Sequence, residues 1–196
     1  MDIIFEFKIN FSILLAFLSF LLSIYTIYRT RKHITVTWSD IQKIPVENLY
    51  IGDQNNIYFT ENLYYIRLDI VNSSPSDISY FDLRAFDPNL NISYNILNKN
   101  ILPADLKSAP ITQSILNYPS FMNVPEKLYG VLKANSFTSL DLFIFDSSVC
   151  KINESQMIVS FKIPDRKFLS QDNYAITNRK NFKTYTVNMS LKKQKY

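Results

Sequence analysis

The chain has 196 residues, and residues 33–196 suffice for one domain with a hydrophobic core. Two glycines and one cysteine exclude a glycine-rich phosphate-binding loop and an internal disulfide framework. The net charge of +4 is uneven, because residues 33–161 hold 8 Lys and Arg against 13 Asp and Glu, whereas residues 162–196 hold 9 against 2. The last part of the chain is therefore basic, which suits anionic headgroups, a nucleic acid or a solvated surface.

Residues 9–28 form an apolar run without a charged residue. Twenty helical residues at about 1.5 Å each span about 30 Å, the thickness of the hydrocarbon core of a bilayer. The run therefore predicts a transmembrane helix. A cleaved signal peptide is disfavoured, because the sequence lacks a basic n-region and a small-residue cleavage site.

One stripe of this helix carries only small side chains, spaced four, three, four and three residues apart, so that they share one face. The members of the stripe are Ser12, Ala16, Ser19, Ser23 and Thr26. Small residues let a second helix approach closely, so the stripe predicts a helix-packing face and a homodimer formed through it. Alternatively, the hydroxyl groups bond to preceding carbonyls of their own helix.

The apolar run sets the domain boundaries. A short N-terminal tail (1–8) precedes the transmembrane helix (9–28), and a basic juxtamembrane linker (29–33), a β domain (34–191) and a basic C-terminal tail (192–196) follow it. Lys and Arg mark the cytoplasmic side of a membrane. One base precedes the helix and three, Arg29, Arg31 and Lys32, follow it. We expect a single-pass protein of the cell membrane with a cytoplasmic C-terminal domain.

Alternation of apolar and polar residues predicts seven or eight strands after the helix. They are expected over residues 34–39, 63–71, 78–86, 92–97, 129–132, 137–145, 157–163 and 185–191. In the third of these, Phe81, Leu83 and Ala85 should face inward. Segment 137–145 is apolar on both sides, which predicts that it is buried on both faces or faces a partner. Four prolines make 102–125 a long irregular excursion.

These strands predict an all-β chain, with an immunoglobulin-like antiparallel β-sandwich preceded by one N-terminal transmembrane helix. A small β-barrel is the alternative. The strand 63–71, the turn Asn72-Ser73-Ser74-Pro75 and the strand after it resemble uncharacterised, singly membrane-anchored β-sandwich proteins of low-GC Gram-positive bacteria and their phages. Some of these proteins act in phage exclusion. The resemblance implies a setting and assigns no site residues.

The residue inventory predicts no catalysis, no cofactor and no metal. His33 is the only histidine, and Cys150 has neither a second cysteine nor a neighbouring histidine in sequence. Asp69 and Asp82 could face each other as a carboxylate pair if their strands are adjacent. Each has an arginine two residues away, so cross-strand ion pairs in solvent are the favoured interpretation.

The sequence favours a non-catalytic membrane-tethered interaction module that contacts membrane lipid and a protein partner. The resemblance adds a role in phage exclusion or another envelope-associated defence. The alternative is a membrane-tethered nucleic-acid-binding protein that uses the basic segment 162–196, which is less favoured because the central part of the chain is acidic.

Antiparallel succession of strands places turn 72–77 and loop 165–181 at the end of the domain where the first strand starts, close to the membrane. Excursion 102–125 and turn 146–154 would then be free to meet a partner. Bases at the membrane end predict contact with anionic headgroups. The predicted membrane-surface residues are Arg29, Arg31, Lys32, Arg166, Lys167, Arg179 and Lys180.

Overall fold

The computed structural model describes residues 2–29, 33–52, 54–55, 63–115, 118–146, 152, 156–164 and 182–189. It begins with one long helix, α1 (Asp2–Arg29), which contains neither glycine nor proline. Side chains of this helix are described for residues 11–27, and all of them are exposed. Among the described residues, no helix has both the length and the apolar character needed to cross a membrane.

The rest of the described chain is mostly β, so the prediction of a β-rich chain behind one N-terminal helix is confirmed at this level. Single-turn 3₁₀ helices occur at Val46–Asn48 and Lys99–Ile101. The strands are β1 (Ile34–Trp38), β2 (Gln42–Ile44), β3 (Leu49–Ile51), β4 (Gln54–Asn55), β5 (Leu63–Asn72), β6 (Ile78–Asp87), β7 (Ile92–Ile96), β8 (Ile111–Ile115), β9 (Tyr118–Phe121), β10 (Gly130–Leu132), β11 (Ser136–Phe145), β12 (Met157–Pro164) and β13 (Phe182–Met189).

The larger of two sheets has the order β1-β5-β11-β7-β6-β12-β13, with β2 added to β5 and β10 to β6. Every pairing in it is antiparallel. Strand β7 pairs with β11 at Ile96 and with β6 at Tyr94, so it joins the two halves of the sheet. The halves enclose a common core, which gives the fold a barrel-like form.

This first core is built from residues of seven strands: β1, β5, β6, β7, β10, β11 and β12. Tyr64, Ile66, Leu68 and Ile70 of β5 all belong to it, as their period-2 spacing predicts. The other six strands contribute Ile34, Ile78, Tyr80, Leu83, Ala85, Tyr94, Ile96, Leu132, Leu140, Leu142, Ile144, Met157, Val159, Phe161 and Ile163.

The two edge strands, β1 and β13, meet the same core residue. The ring of Phe161 lies 6.1 Å from Trp38 of β1 and stacks on Tyr185 of β13 at 5.2 Å. Phe161 is fully buried, whereas Trp38 and Tyr185 are half-buried. The aromatic ring of β12 therefore links the two open edges of the sheet.

A second, four-stranded sheet has the order β4-β3-β8-β9 and packs on a second core. This core contains Leu63 and Phe143, which lie in β5 and β11 of the larger sheet. Strand β11 thus faces the first core with Leu142 and Ile144 and the second core with Phe143. Its predicted burial on both faces is confirmed for Leu140–Ile144, where every residue is buried.

Strands β8 and β9 lie inside the segment 102–125, so the prediction of an irregular excursion is wrong there. Pro110 directly precedes β8. The hydrogen bond from Met122 N to Ile111 O (2.8 Å) shows which cross-strand pairs of β8 and β9 are hydrogen-bonded. Pro119, opposite Ser114, belongs to a pair that is not, so its nitrogen faces away from β8. Proline is compatible with both positions, because neither requires its missing N–H.

The predicted inward orientation of Phe81 is wrong, because β6 contains a β-bulge. Asp82 has a φ of 55°, and the register with β12 shifts between Ser160 and Lys162, so that two β6 residues oppose Phe161. The inward residues are therefore Ile78 and Tyr80 before the bulge, and Leu83 and Ala85 after it. Phe81 is half-buried instead and contacts Phe182 edge to face at 6.3 Å.

Candidate interaction surface

The end of the β domain that follows the helix in the chain is organised around the turn 72–77. Ile34, the first residue of β1, pairs with Asn72, and the backbone N–H of Ser73 donates to the carbonyl of His33 at 3.0 Å. We call this the helix-proximal end. Turn 72–77 therefore lies beside the start of the first strand, as expected.

Asn72 ties this turn to the segment between β10 and β11. Its buried side-chain amide donates to the carbonyls of Leu132 (3.1 Å) and Lys133 (2.8 Å). Its side-chain oxygen accepts from the N–H of Ser74 at 3.1 Å and from the Ser74 hydroxyl. A polar side chain buried in this way must be hydrogen-bonded, and here one amide holds two turns together.

Asp77 adds an ion pair between the same two turns. Its carboxylate accepts from Lys133 Nζ and from the N–H of Ala134, each at 2.9 Å. The hydrogen bond from Lys133, and then that from Ala134, holds the pKa of Asp77 below its ordinary value. The negative charge of this turn is thus matched by the Lys133 ammonium group.

Next to this end, the outer side of β1, β5 and β11 carries exposed side chains. Thr35, Val71 and Phe137 lie side by side across the three strands. Val71 is 40% exposed and Phe137 is 62% exposed. We call Thr35, Val71 and Phe137 the apolar row. The next row on the same face is polar and consists of Thr37, Asp69 and Ser139.

Ion pairs occupy the polar part of this face. Arg67 Nε donates to Asp69 Oδ1 at 3.2 Å and to Ser139 Oγ at 2.8 Å. Asp82, on the other half of the sheet, pairs with Arg84 at 3.7 Å and with Lys162. Because β5 and β6 are not neighbours in the sheet, Asp69 and Asp82 form no carboxylate pair. Asp82 pairs across strands through Lys162, whereas Asp69 pairs with Arg67 of its own strand.

The far end of this face is closed by a buried hydrogen-bond network. Tyr65 Oη donates to Asp141 Oδ1 at 2.8 Å, and the N–H of Asn123 donates to Asp141 Oδ2 at 2.7 Å. Burial, and then the hydrogen bond to Asp141, raises the pKa of Tyr65 well above its ordinary value. Asp141 therefore joins β5, β11 and the segment that leads out of β9.

The small-residue stripe of α1 is exposed along its whole length, from Ser12 to Thr26. Ser23 Oγ donates to the carbonyl of Ser19 at 2.9 Å, and Thr26 Oγ1 donates to that of Leu22 at 2.8 Å. These bonds within the helix are the alternative that the sequence left open for the hydroxyl groups. The small size of the side chains still leaves a shallow groove, lined by Ser19, Leu22, Ser23, Thr26 and Ile27.

The described bases of segment 162–196 have aromatic or acidic contacts. Lys162 is half-buried, pairs with Asp82 and lies 4.7 Å from the ring centre of Phe182. Lys183 lies 4.9 Å from the ring centre of Tyr185. Of the predicted membrane-surface residues, Arg29 ends α1, and the other six lie outside the described residues. Cys150 lies outside them as well.

Two further exposed aromatic residues lie on opposite faces of β9, the edge of the small sheet. Tyr118 and Phe121 are each 79% exposed. The surrounding prolines indicated a loop, so neither residue was predicted to lie on a strand. Among the described residues, no group of three or more His, Cys, Asp and Glu side chains could hold a metal ion.

Comparison with known proteins gives two remote structural similarities. No protein-family model matches the sequence, and no curated protein matches it. The yjhA protein of Bacillus subtilis is 14% identical over 80% of this chain and 92% of its own, with a TM-score of 0.42. A candidate lipoprotein of Bacillus subtilis, ycdA, is 7% identical over 82% of this chain and 38% of its own, with a TM-score of 0.37. At these scores neither similarity supports an inference about this chain.

Proposed function

We propose that the chain is a non-catalytic interaction module that α1 anchors in a membrane by crossing it once. The observation that carries this proposal is the exposure of every described side chain of α1, on all sides of the helix. Twelve of the 17 described side chains are large and apolar, from Phe11 to Ile27. Large apolar side chains cover the circumference of α1 except for the small-residue stripe, and such a helix is stable only in an apolar environment. The described side chains end at residues 11 and 27, and in the sequence residues 9, 10 and 28 carry the uncharged run to the length of a bilayer core.

The proposed β domain is an immunoglobulin-like sandwich in which β7 connects the two layers. Its support is the arrangement of the large sheet, where β1-β5-β11 and β6-β12-β13 contribute to the same first core. Such sandwiches commonly bind partners through uncovered faces and edges. We propose a cytoplasmic domain, on the basis of the bases after the helix, and a setting in phage exclusion or another envelope-associated defence, on the resemblance.

The proposed protein-binding part is the β9 edge. Tyr118 and Phe121 offer large side chains to a partner, and aromatic residues are enriched where interfaces are strongest. Phe121 also has its backbone N–H on the side away from β8, where a partner strand could pair with it. Pro119 has no N–H to offer there, so pairing at this edge would be short.

Alkaline extraction of membranes tests the anchor. The parent protein should stay in the membrane pellet, and a variant with Leu18→Lys and Leu22→Lys should be released, because each charge costs about 2.5 to 3.5 kcal/mol at the centre of a membrane helix. The matched control places Leu90→Lys and Ile101→Lys at exposed positions of the β domain and should remain in the pellet. Release of the parent protein would contradict the proposal.

Protease added to intact cells tests the orientation and should leave the β domain whole, whereas protease added to opened cells should digest it.

Capture from the native membrane tests the interaction with a protein partner. Tyr118→Ser with Phe121→Ser should lose the captured protein, and Leu90→Ser with Ile101→Ser should retain it. A shift of single-stranded nucleic acid that disappears when Lys192, Lys193 and Lys195 are neutralised would favour the nucleic-acid-binding alternative instead.

A further inference from the structure

We propose that the apolar row at the helix-proximal end lies in the headgroup region of the bilayer, with the side chains of Phe137 and Val71 inserted. The ligand of this surface is thus the lipid surface itself. This inference rests on the proposed membrane anchor and adds to it a fixed orientation of the β domain. Phe137 and Val71 become a second, shallow contact with the membrane.

The length of the connection places this end within reach of the membrane. Five peptide steps from Arg29, the last residue of α1, to Ile34, the first residue of β1, span at most about 18 Å. Phe137 lies two strands across from Thr35, which is about 10 Å. If α1 lies in a bilayer, the start of β1 must lie close to the headgroups, and the apolar row starts one residue further along.

The chemistry of the row fits an interface rather than bulk water. Phe137 and Val71 are directly opposed, with Cβ atoms about 5 Å apart, so they form one continuous apolar surface. The neighbouring row of Thr37, Asp69 and Ser139 is polar. A shallow apolar edge that gives way to polar groups within one row matches the depth of a membrane interface, where aromatic side chains are enriched.

Hydrogen bonds fix the turns beside the apolar row, and none of the three residues of the row is charged. Asn72 and Asp77 fix the two turns beside it, and Ser136 Oγ, next to Phe137, donates to the carbonyl of Lys133 at 2.6 Å. The Asp77 carboxylate, which could repel anionic lipid, is paired with Lys133. The linker sequence adds bases, which favour an anionic surface.

The orientation has a consequence for the partner. Tyr65 and Phe143, at the opposite end of the same face, are covered by the second core. Val71 is six residues from Tyr65 along β5, which is about 20 Å in a strand. With the apolar row on the membrane, the small sheet and its β9 edge lie away from the lipid.

Tryptophan fluorescence of the full chain in nanodiscs tests this inference. Trp38 is the only tryptophan, so Trp38→Phe gives a silent background. Phe137→Trp is then compared with Phe121→Trp on β9 and with Tyr25→Trp on α1, in bilayers of phosphatidylcholine and phosphatidylglycerol whose acyl chains are brominated near the headgroup. We expect Phe137→Trp to be quenched several-fold more strongly than Phe121→Trp. If Phe137→Trp misfolds, Val71→Trp should give the same result.

The three positions separate the possible failures. Quenching of Tyr25→Trp without quenching of Phe137→Trp or Val71→Trp would overturn this inference and leave the anchor intact. Absence of quenching at Tyr25→Trp would overturn the anchor itself. Protection of Phe137→Trp from acrylamide without quenching by brominated lipid would mean that a protein, including a second copy of this chain, covers the row, and would also overturn the inference.

Discussion

At the scale of single residues, Asp141 is the side chain on which most depends. Asp141→Asn keeps the volume but turns one acceptor into a donor that faces either Tyr65 Oη or the N–H of Asn123. We expect the free energy of unfolding to fall by about 1.5 to 3 kcal/mol, the range for a buried hydrogen bond to a charged group. Urea unfolding of the full chain in detergent, followed by Trp38 fluorescence, measures it.

The matched control is Asp69→Asn, because Asp69 also accepts from a neighbouring side chain but is solvent-accessible. Its loss should stay within about 1 kcal/mol, as for other exposed ion pairs. Equal losses in the two variants would contradict the role given to the buried network.

Asp77 predicts a pH dependence. Its pKa is lowered in the folded protein, so the unfolded chain takes up the proton first as the pH falls. The stabilisation by Lys133 is therefore complete above the ordinary pKa of 3.8 and is lost as the pH falls below it. Acid titration of Trp38 fluorescence should show a weaker acid dependence of unfolding in Asp77→Asn than in the parent. Identical acid dependence would show that the ion pair adds nothing.

At the scale of elements, the bulge of β6 predicts a position that rejects a branched side chain. Asp82 has a positive φ, which costs residues other than Gly, Asn and Asp about 1 to 2 kcal/mol. Asp82→Val should therefore destabilise the domain by at least about this amount. Asp69→Val, on a regular strand, should be tolerated. A melt of Asp82→Val that matches that of Asp69→Val would contradict the bulge.

The same bulge shows where sequence reasoning stops. Alternation correctly placed Ile66, Leu68 and Ile70 in the core, because β5 is regular. It failed in β6, where one extra residue reverses the facing of Phe81 relative to Leu83. The only sign of the bulge in the sequence was Asp82, because aspartate tolerates a positive φ, but it occurs in regular strands as well.

The helix makes its own prediction. Ser19→Leu with Ser23→Leu fills the groove of the small-residue stripe, which should weaken self-association of α1 in a membrane two-hybrid assay without preventing insertion. Leu14→Ala with Leu21→Ala on the opposite face should leave association unchanged. Because the Ser23 and Thr26 hydroxyls bond within the helix, the effect would come from size rather than from hydrogen bonds. Unchanged association would mean that no packing face exists there.

At the scale of the whole molecule, Phe161 connects both sheet edges to the core. Phe161→Ala removes a fully buried ring that contacts Trp38 and Tyr185, and should cost about 3 to 5 kcal/mol. Phe137→Ala is the matched control, since its ring is mostly exposed and its loss should change stability by no more than about 0.5 kcal/mol. Thermal melts of both variants in detergent compare them. Similar melting temperatures would contradict the place given to Phe161.

The global arrangement was only partly predictable. Tyr65, Arg67 and Asp69 alternate with the core residues of β5 and place Val71 on the outer face, so the position of Val71 in the apolar row could be predicted from sequence. That Phe137 lies beside Val71 depends on the register of two strands far apart in the chain, which no local pattern encodes. The second sheet was missed because Pro110 and Pro119 occupy strand positions that proline tolerates.

The pairing of β5 with β11 also determines when the large sheet can form during synthesis. Leu68 pairs with Leu140, about 70 residues later in the chain, which takes roughly 4 to 14 s to add at about 5 to 20 residues per second. The hydrophobic helix has left the ribosome long before that. β1 and β2 precede β5 in the chain and can already pair with it, so in the nascent chain only the β11 edge of β5 lacks its partner strand. An unpaired strand edge beside exposed apolar surface is prone to aggregation, so we expect slower translation to increase aggregation of the nascent chain.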